Sequence, residues 1–174
     1  MSPGFFTTSR LLVRDWRPVI EKSASRKVLE AELSFILSRP VLQHLPPSMH
    51  LDDAPGRMSS WIDARAEESD VLLVQRKDSA AVIGLVILAG ESALAAVPDL
   101  HIGFLFAESA WGQGFASELL EGLVAWTGGA GPVRLVGGVG KDNPASARVL
   151  EKAGFRIEAS LSTPETDVFV REVG

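Results

Sequence analysis

The sequence predicts a single-domain α+β fold: a mixed, mostly antiparallel twisted sheet flanked by helices. Three observations predict it. The 174 residues suffice for one ordinary domain and not comfortably for two. Runs rich in Val, Ile and Leu come as neighbours, 71–75 with 81–89 early and 157–161 with 167–172 late, and short hairpins connect such pairs most directly. Between them lies one strand–helix–strand unit, which argues for a mixed sheet and against a doubly wound parallel one. One domain is therefore expected over residues 1–174.

Residues 8–16 form the first expected strand, with Leu11, Val13 and Asp15 on one side, Leu12, Arg14 and Trp16 on the other, and Pro18 ending it. A helix is expected over 19–37, where Val28, Leu29, Leu33, Ile36 and Leu37 recur at helical spacing until Pro40. Segment 39–55 carries three further prolines together with His44 and His50 and reads as irregular; such loops often border binding sites. A shorter helix over 55–67 places Met58, Trp61, Ile62 and Ala66 on one face. The strands 71–75 and 81–89 flank the polar turn Arg76-Lys77-Asp78-Ser79, and 100–106 makes a third strand. After Gly112-Gln113-Gly114 a helix runs with Ala116, Leu119, Leu120, Leu123, Val124 and Thr127 in helical register, ending at Gly128-Gly129. A strand over 133–139 follows. Asn143 then caps a helix with Pro144 at its first position, and Gly154 ends it in the left-handed conformation with Phe155 packing back. The runs 157–161 and 167–172 close the sheet.

Composition narrows the function. Apolar residues at 46% and charged residues at 22% match a folding chain and exclude a disordered scaffold. With 17 Lys and Arg against 22 Asp and Glu, the net charge of −5 supplies no general attraction for nucleic acid or an anionic membrane, so neither is expected as a partner. Backbone amides can still hold a compact anion. The absence of cysteine removes disulfides, thiolate metal sites and a cysteine nucleophile, and the absence of tyrosine removes a phenolic acid or base; no metal is expected. No apolar run approaches the roughly 20 residues that span a bilayer, and Met1-Ser2-Pro3-Gly4 does not lead into a targeting segment, so a cytoplasmic protein is expected.

Two segments carry chemistry. In the first, Leu105-Phe106-Ala107 leads through a short loop into Trp111-Gly112-Gln113-Gly114-Phe115-Ala116, which opens a long helix. A helix start offers unpaired N–H groups and partial positive charge, and glycines let a pyrophosphate approach; a tight turn with no ligand is the plain alternative. A dinucleotide-binding loop fits poorly, because Ser117 stands where the third glycine belongs and no acidic residue ends the next strand. The second segment is Lys141-Asp142-Asn143-Pro144-Ala145-Ser146-Ala147-Arg148-Val149-Leu150-Glu151-Lys152-Ala153-Gly154-Phe155. Its ends read as good helix signals, but Ser146 has no evident capping duty there.

Together the two segments resemble the GNAT superfamily of acyl-CoA-dependent N-acetyltransferases. Gly114 and Ala116 meet its Gln/Arg-x-x-Gly-x-Gly/Ala signature, with Trp111 departing from the usual Gln or Arg. The second segment resembles Asn-x-x-Ser-x-x-Val-Leu-Glu-Lys-x-Gly-Phe of the branch containing the ribosomal-protein N-terminal acetyltransferases, and Thr8-Ser9-Arg10-Leu11-Leu12-Val13-Arg14 is similar to that branch's first strand. The resemblance implies acetyl-CoA as co-substrate. It places the pyrophosphate on the backbone of Trp111, Gly112, Gln113, Gly114, Phe115 and Ala116, and the pantetheine arm beside the backbone of Leu105, Phe106 and Ala107. It also implies pantetheine contact at Asn143 and a place near the thioester sulfur for Ser146, a candidate proton donor to the leaving thiolate.

Relatives often carry glutamate before the Ile-Gly-aromatic run that here is His101-Ile102-Gly103-Phe104, so His101 is the candidate base, or else an inert histidine on a sheet face. With neither cysteine nor tyrosine, direct transfer in a ternary complex is the expected route, with the oxyanion held by a strand amide near Phe106. The acceptor is a primary amine, either a peptide N-terminus or a small molecule, and a homodimer is compatible with this reading. A non-catalytic acyl-CoA-binding or sensing domain is the alternative class, and a nucleotide-binding module a third.

Overall fold

The chain opens with β1 (Phe5–Thr7) and β2 (Leu11–Asp15), paired antiparallel. Thr8 closes their turn: its N–H donates to the Leu11 carbonyl at 2.9 Å, and its hydroxyl accepts from the Leu11 N–H at 3.1 Å. The expected strand over 8–16 thus begins three residues late, and β1 is an addition, too short to carry a periodicity. The structure, a computed structural model, describes residues 4–90 and 95–174.

The helix expected over 19–37 is two helices, α1 (Arg17–Ile20) and α2 (Ser23–Ile36), separated where Lys22 is extended at φ −103°, ψ 122°. Pro18 sits in the first turn of α1, where its missing N–H costs nothing. Segment 39–55 is more ordered than expected, with α3 (Arg39–Leu42) and a 3-10 turn at Pro47–Met49. It is pinned from α4 (Arg57–Glu68), whose Trp61 indole N–H donates to the Met49 carbonyl at 2.7 Å and whose buried Arg65 donates to the Ser48 carbonyl at 3.3 Å. His50 Nε2 donates to the Leu45 carbonyl at 2.9 Å, a structural tie within this segment.

The remaining strands are β3 (Asp70–Arg76), β4 (Val82–Gly90), β5 (Asp99–Phe106), β6 (Val133–Gly140), β7 (Arg156–Ile157) and β8 (Thr166–Val173), with α5 (Phe115–Gly128) and α6 (Pro144–Lys152) between them. Among the described residues they form one sheet in the order β1-β2-β3-β4-β5-β6-β8-β7, antiparallel at every junction except β5–β6. The mixed α+β architecture is as the hairpin pairs require. The late strand expected over 157–161 stops at Ile157, because Glu158, Ser160 and Ser162 turn the chain: Ser160 Oγ donates to the Glu158 carboxylate at 2.6 Å and Ser162 Oγ to the Glu158 carbonyl at 2.9 Å.

Each face of the sheet carries its own core. α5 and α6 cover one face, burying Leu119, Leu120, Leu123 and Leu150 against Val74, Val86, Leu135 and Phe169. On the other, α2 and α4 bury Leu29, Leu33, Ile36, Trp61 and Ile62 against Leu73, Leu85 and Leu105. At about 1.5–3 kcal/mol for each fully buried side chain of this size, the two layers clamp β4 and β5 from both sides.

Candidate active site

The parallel junction is short. Pairing of β5 with β6 runs over Asp99↔Arg134, Leu100↔Leu135 and His101↔Val136, while β5 continues to Phe106 and β6 to Gly140. Backbone parity says what lies in the gap. The Ala107 N–H donates to the Ile83 carbonyl at 2.9 Å, so odd-numbered residues of β5 bond β4, and alternation turns the N–H and C=O of Ile102, Phe104 and Phe106 toward β6. Beyond the last pair, Phe104 and Phe106 therefore present ladder groups to an open cleft. Across from them, alternation turns the exposed Gly138 the same way on β6. The run Gly137-Gly138-Val139-Gly140, which sequence reading passed over, leaves that wall nearly free of side chains; glycines clustered inside a strand were the available signal.

The cleft ends at the loop into α5. Gly112 and Gly114 adopt φ +70° and +80°, and Gly114 is the N-cap residue of α5. A Cβ on Gly112 would meet nothing within 4 Å and one on Gly114 only the Arg10 guanidinium at 3.5 Å, so the loop exposes its amides unscreened. Several side chains hold it. The Trp111 indole N–H donates to the Phe106 carbonyl at 2.9 Å, and Gln113 Nε2 donates to the Ser109 carbonyl at 2.7 Å. Arg10, from the β1–β2 turn, donates to the Gln113 carbonyl at 3.0 Å and lies 4.2 Å over the Phe115 ring. Its Nε also donates to the Glu118 carboxylate at 2.6 Å, and the Arg10 N–H and the Thr8 hydroxyl donate to the same carboxylate. Burial works to raise the Glu118 pKa, but these donors outweigh it and hold the carboxyl below its ordinary value. Sequence reading used Arg10 only as part of a strand; its role here needs a contact across 108 residues.

On the far side of β6, Asn143 caps α6 as expected, with its Oδ1 accepting from the Ser146 N–H at 3.3 Å. Its Nδ2 donates to Ser146 Oγ at 3.1 Å. Ser146 therefore does join the cap, contrary to the sequence reading. In that bond its oxygen accepts, which leaves the hydroxyl proton to be directed elsewhere. Gly154 closes α6 at φ +83°, and Phe155 is buried behind it.

His101 lies at the last β5–β6 pair, exposed on the α2–α4 side of the sheet by its parity with Leu105. Asp99 shares that parity. Hydrogen bonding from Arg134 at 2.6 and 2.7 Å holds its carboxyl below the ordinary value, with His101 charge adding to the effect. Gly103 follows on the same face, exposed, and contributes no side chain beside His101. The structure thus joins Trp111 to Phe106 and Ser146 to Asn143, and sets His101 at the other end of the cleft, about 17 Å from Phe106 at 3.3–3.4 Å per residue. Among the described residues no cluster of three or more His, Cys, Asp or Glu is placed to hold a metal, and no helix is long and apolar enough to cross a membrane.

Residues 17–156 match the family model of the acetyltransferase (GNAT) domain. The chain belongs to the GNAT acetyltransferase family. Its class is accordingly that of an acyl-CoA-dependent N-acetyltransferase. Solved GNAT folds are similar over nearly the whole chain. A GNAT-family acetyltransferase from Bacillus anthracis aligns over 97% of both chains at 18% identity with a TM-score of 0.72. RimL, a ribosomal L7/L12 α-N-protein acetyltransferase solved with coenzyme A, aligns over 97% of this chain and 98% of its own at 16% identity and a TM-score of 0.71. The microcin C7 self-immunity acetyltransferase MccE, solved with acetyl-CoA and AMP, aligns over 99% and 98% at 14% identity and a TM-score of 0.67. No curated protein is matched by the sequence.

Proposed function

We propose that this GNAT protein transfers an acetyl group from acetyl-CoA directly to a primary amine, a peptide N-terminus or a small-molecule amine, in a ternary complex. One observation carries the reading: the cleft where β5 parts from β6 runs straight into an unscreened amide loop. An extended amide-bearing arm pairs with the Phe106 N–H and the Phe104 carbonyl, and the pyrophosphate takes the amides of Gly112 to Ala116 at the positive end of α5. The family's solved coenzyme A and acetyl-CoA complexes support the same donor.

In the transfer, the amine nitrogen attacks the thioester carbonyl carbon, the C–S bond breaks, the amine loses one proton and the thiolate gains one. His101 takes the first proton and Ser146 gives the second. The separation between His101 and Phe106 limits which amide holds the oxyanion. A base at His101 and a donor at Phe106 cannot serve one carbonyl, whereas the Phe104 N–H, two residues nearer and facing the cleft, can do so with His101 acting through a water. The amine then arrives on the α2–α4 side, over the exposed Gly103.

The test combines binding and turnover. Acetyl-CoA at 100 times its Kd should add about 2.7 kcal/mol to native-state stability, and release of free thiol with one member of an amine and peptide panel should name the acceptor. Gly114→Val should abolish the thermal shift, because a β-branched side chain at φ +80° both strains the loop and covers its amides. A folded variant that still binds coenzyme A normally would move the phosphate site elsewhere.

A further inference from the structure

Two surfaces must act together on one donor: the strand edge at Phe104–Phe106 and the amide loop at 112–116. A loop that flexes against the strand would bind either half of the ligand and still place the thioester poorly. Within the loop, Gln113 ties to Ser109, five residues of the same segment, and so controls the loop's own shape. Trp111 does something different. Its indole N–H reaches back to the Phe106 carbonyl at 2.9 Å, a group that belongs to the strand edge and faces the cleft. The residue is 48% exposed, so burial alone is not what fixes its position. The same bond occupies the last outward carbonyl of β5, and strand-like pairing by a ligand then ends at the Phe106 N–H, where the ligand must turn toward the loop.

We propose that Trp111 is a positioning residue that fixes the spacing between the strand edge and the amide loop, and that it acts only on ligands engaging both. The inference rests on the acetyl-CoA reading above. Its signature is a loss of chelate advantage: each surface keeps its own affinity, and the gain from joining the two halves in one molecule falls.

The experiment measures Kd by calorimetry for coenzyme A and for adenosine 3′-phosphate 5′-diphosphate, which has the phosphates but no arm. Trp111→Phe keeps a ring and removes the donor. Coenzyme A should bind about 3- to 10-fold more weakly, in line with one neutral hydrogen bond, while the arm-less nucleotide binds within twofold of wild type. Gln113→Ala is the contrast, because loosening the loop itself should weaken both ligands alike. Equal losses for both ligands in Trp111→Phe would make the tryptophan a mere shaper of the loop and overturn the proposal, as would no loss for either. A wild-type chain that binds the nucleotide but not coenzyme A would overturn the acetyl-CoA reading itself. Circular dichroism and melting temperature confirm that each variant is folded before binding is compared.

Discussion

At the scale of single residues, Ser146 carries two duties that a substitution can separate. Its backbone N–H meets the Asn143 cap whatever the side chain, so Ser146→Ala forfeits only the Asn143 Nδ2 to Oγ bond and the hydroxyl proton. If that proton goes to the leaving thiolate, kcat should fall about 10²-fold with little change in acetyl-CoA affinity, since the proton matters only late in the reaction. An unchanged kcat with chemistry rate-limiting would leave Ser146 as a capping partner. His101 is tested by shape of response. A base makes kcat/KM climb with pH through an inflection; His101→Gln should remove the inflection and lower the plateau about 10²–10⁴-fold. Superimposable profiles would assign proton removal to water or to the amine's own equilibrium.

At the scale of elements, the start of α5 is held by a carboxylate that belongs to the helix and donors that belong to the β1–β2 turn. Glu118 has a folded-state pKa below its ordinary 4.5, burial being outweighed by Thr8 and Arg10. The sign follows from linkage. A depressed carboxyl stabilises the fold fully above pH 4.5, and the contribution disappears as pH falls through the folded value, where the native carboxylate at last protonates. Glu118→Gln should therefore lower the melting temperature at pH 7 by roughly 2–6 °C, for about 1–2 kcal/mol of lost charge-assisted bonding in a chain of this size, and the gap to wild type should close in acid. Because Arg10 also donates to the Gln113 carbonyl, the variant should bind coenzyme A more weakly as well. Glu32 on α2 works in the opposite direction. Burial raises its carboxyl pKa against the Val82 N–H and Arg14, so its ionisation destabilises the native state as pH rises above 4.5. It lines a cavity of about 250 Å³ with Arg14, Ser25 and Gln75.

At the scale of the whole molecule, the cleft exists because β5 stays with β4 while leaving β6. Gly84 allows the close approach of β4 to β5 at the cleft's edge. It pairs with Phe106, and a Cβ there would stand 2.4 Å from the Leu105 carbonyl and 2.9 Å from the Phe106 ring. The obstacle is backbone clamped between two cores, so it cannot yield cheaply. Gly84→Ala should cost about 1–3 kcal/mol of stability and weaken coenzyme A binding together, because the same shift displaces the cleft edge. A variant that melts like wild type would show β5 to be more compliant than its packing implies.

What the sequence by itself determined is local. The hairpin pairs, the helical register of 116–127, the Asn143-Pro144 start and the Gly154 stop of α6, and the tight strand-to-helix turn at Gly112-Gln113-Gly114 all rest on side-chain period and backbone freedom, which a few neighbouring residues decide. The family signature was legible for the same reason, since both of its segments are contiguous. Short elements were not: β1 and α3 have too few residues to show a period, and the break at Lys22 has no proline or glycine to announce it. Tertiary structure alone decided the rest. Only the sheet's register ends the β5–β6 pairing at His101↔Val136 and so opens the cleft. Arg10 meets Glu118 across 108 residues, and which carbonyl the Trp111 indole meets depends on where β5 turns its backbone. These are contacts between segments whose separation in sequence carries no record of their distance in space; packing two cores onto one sheet is what brings them together.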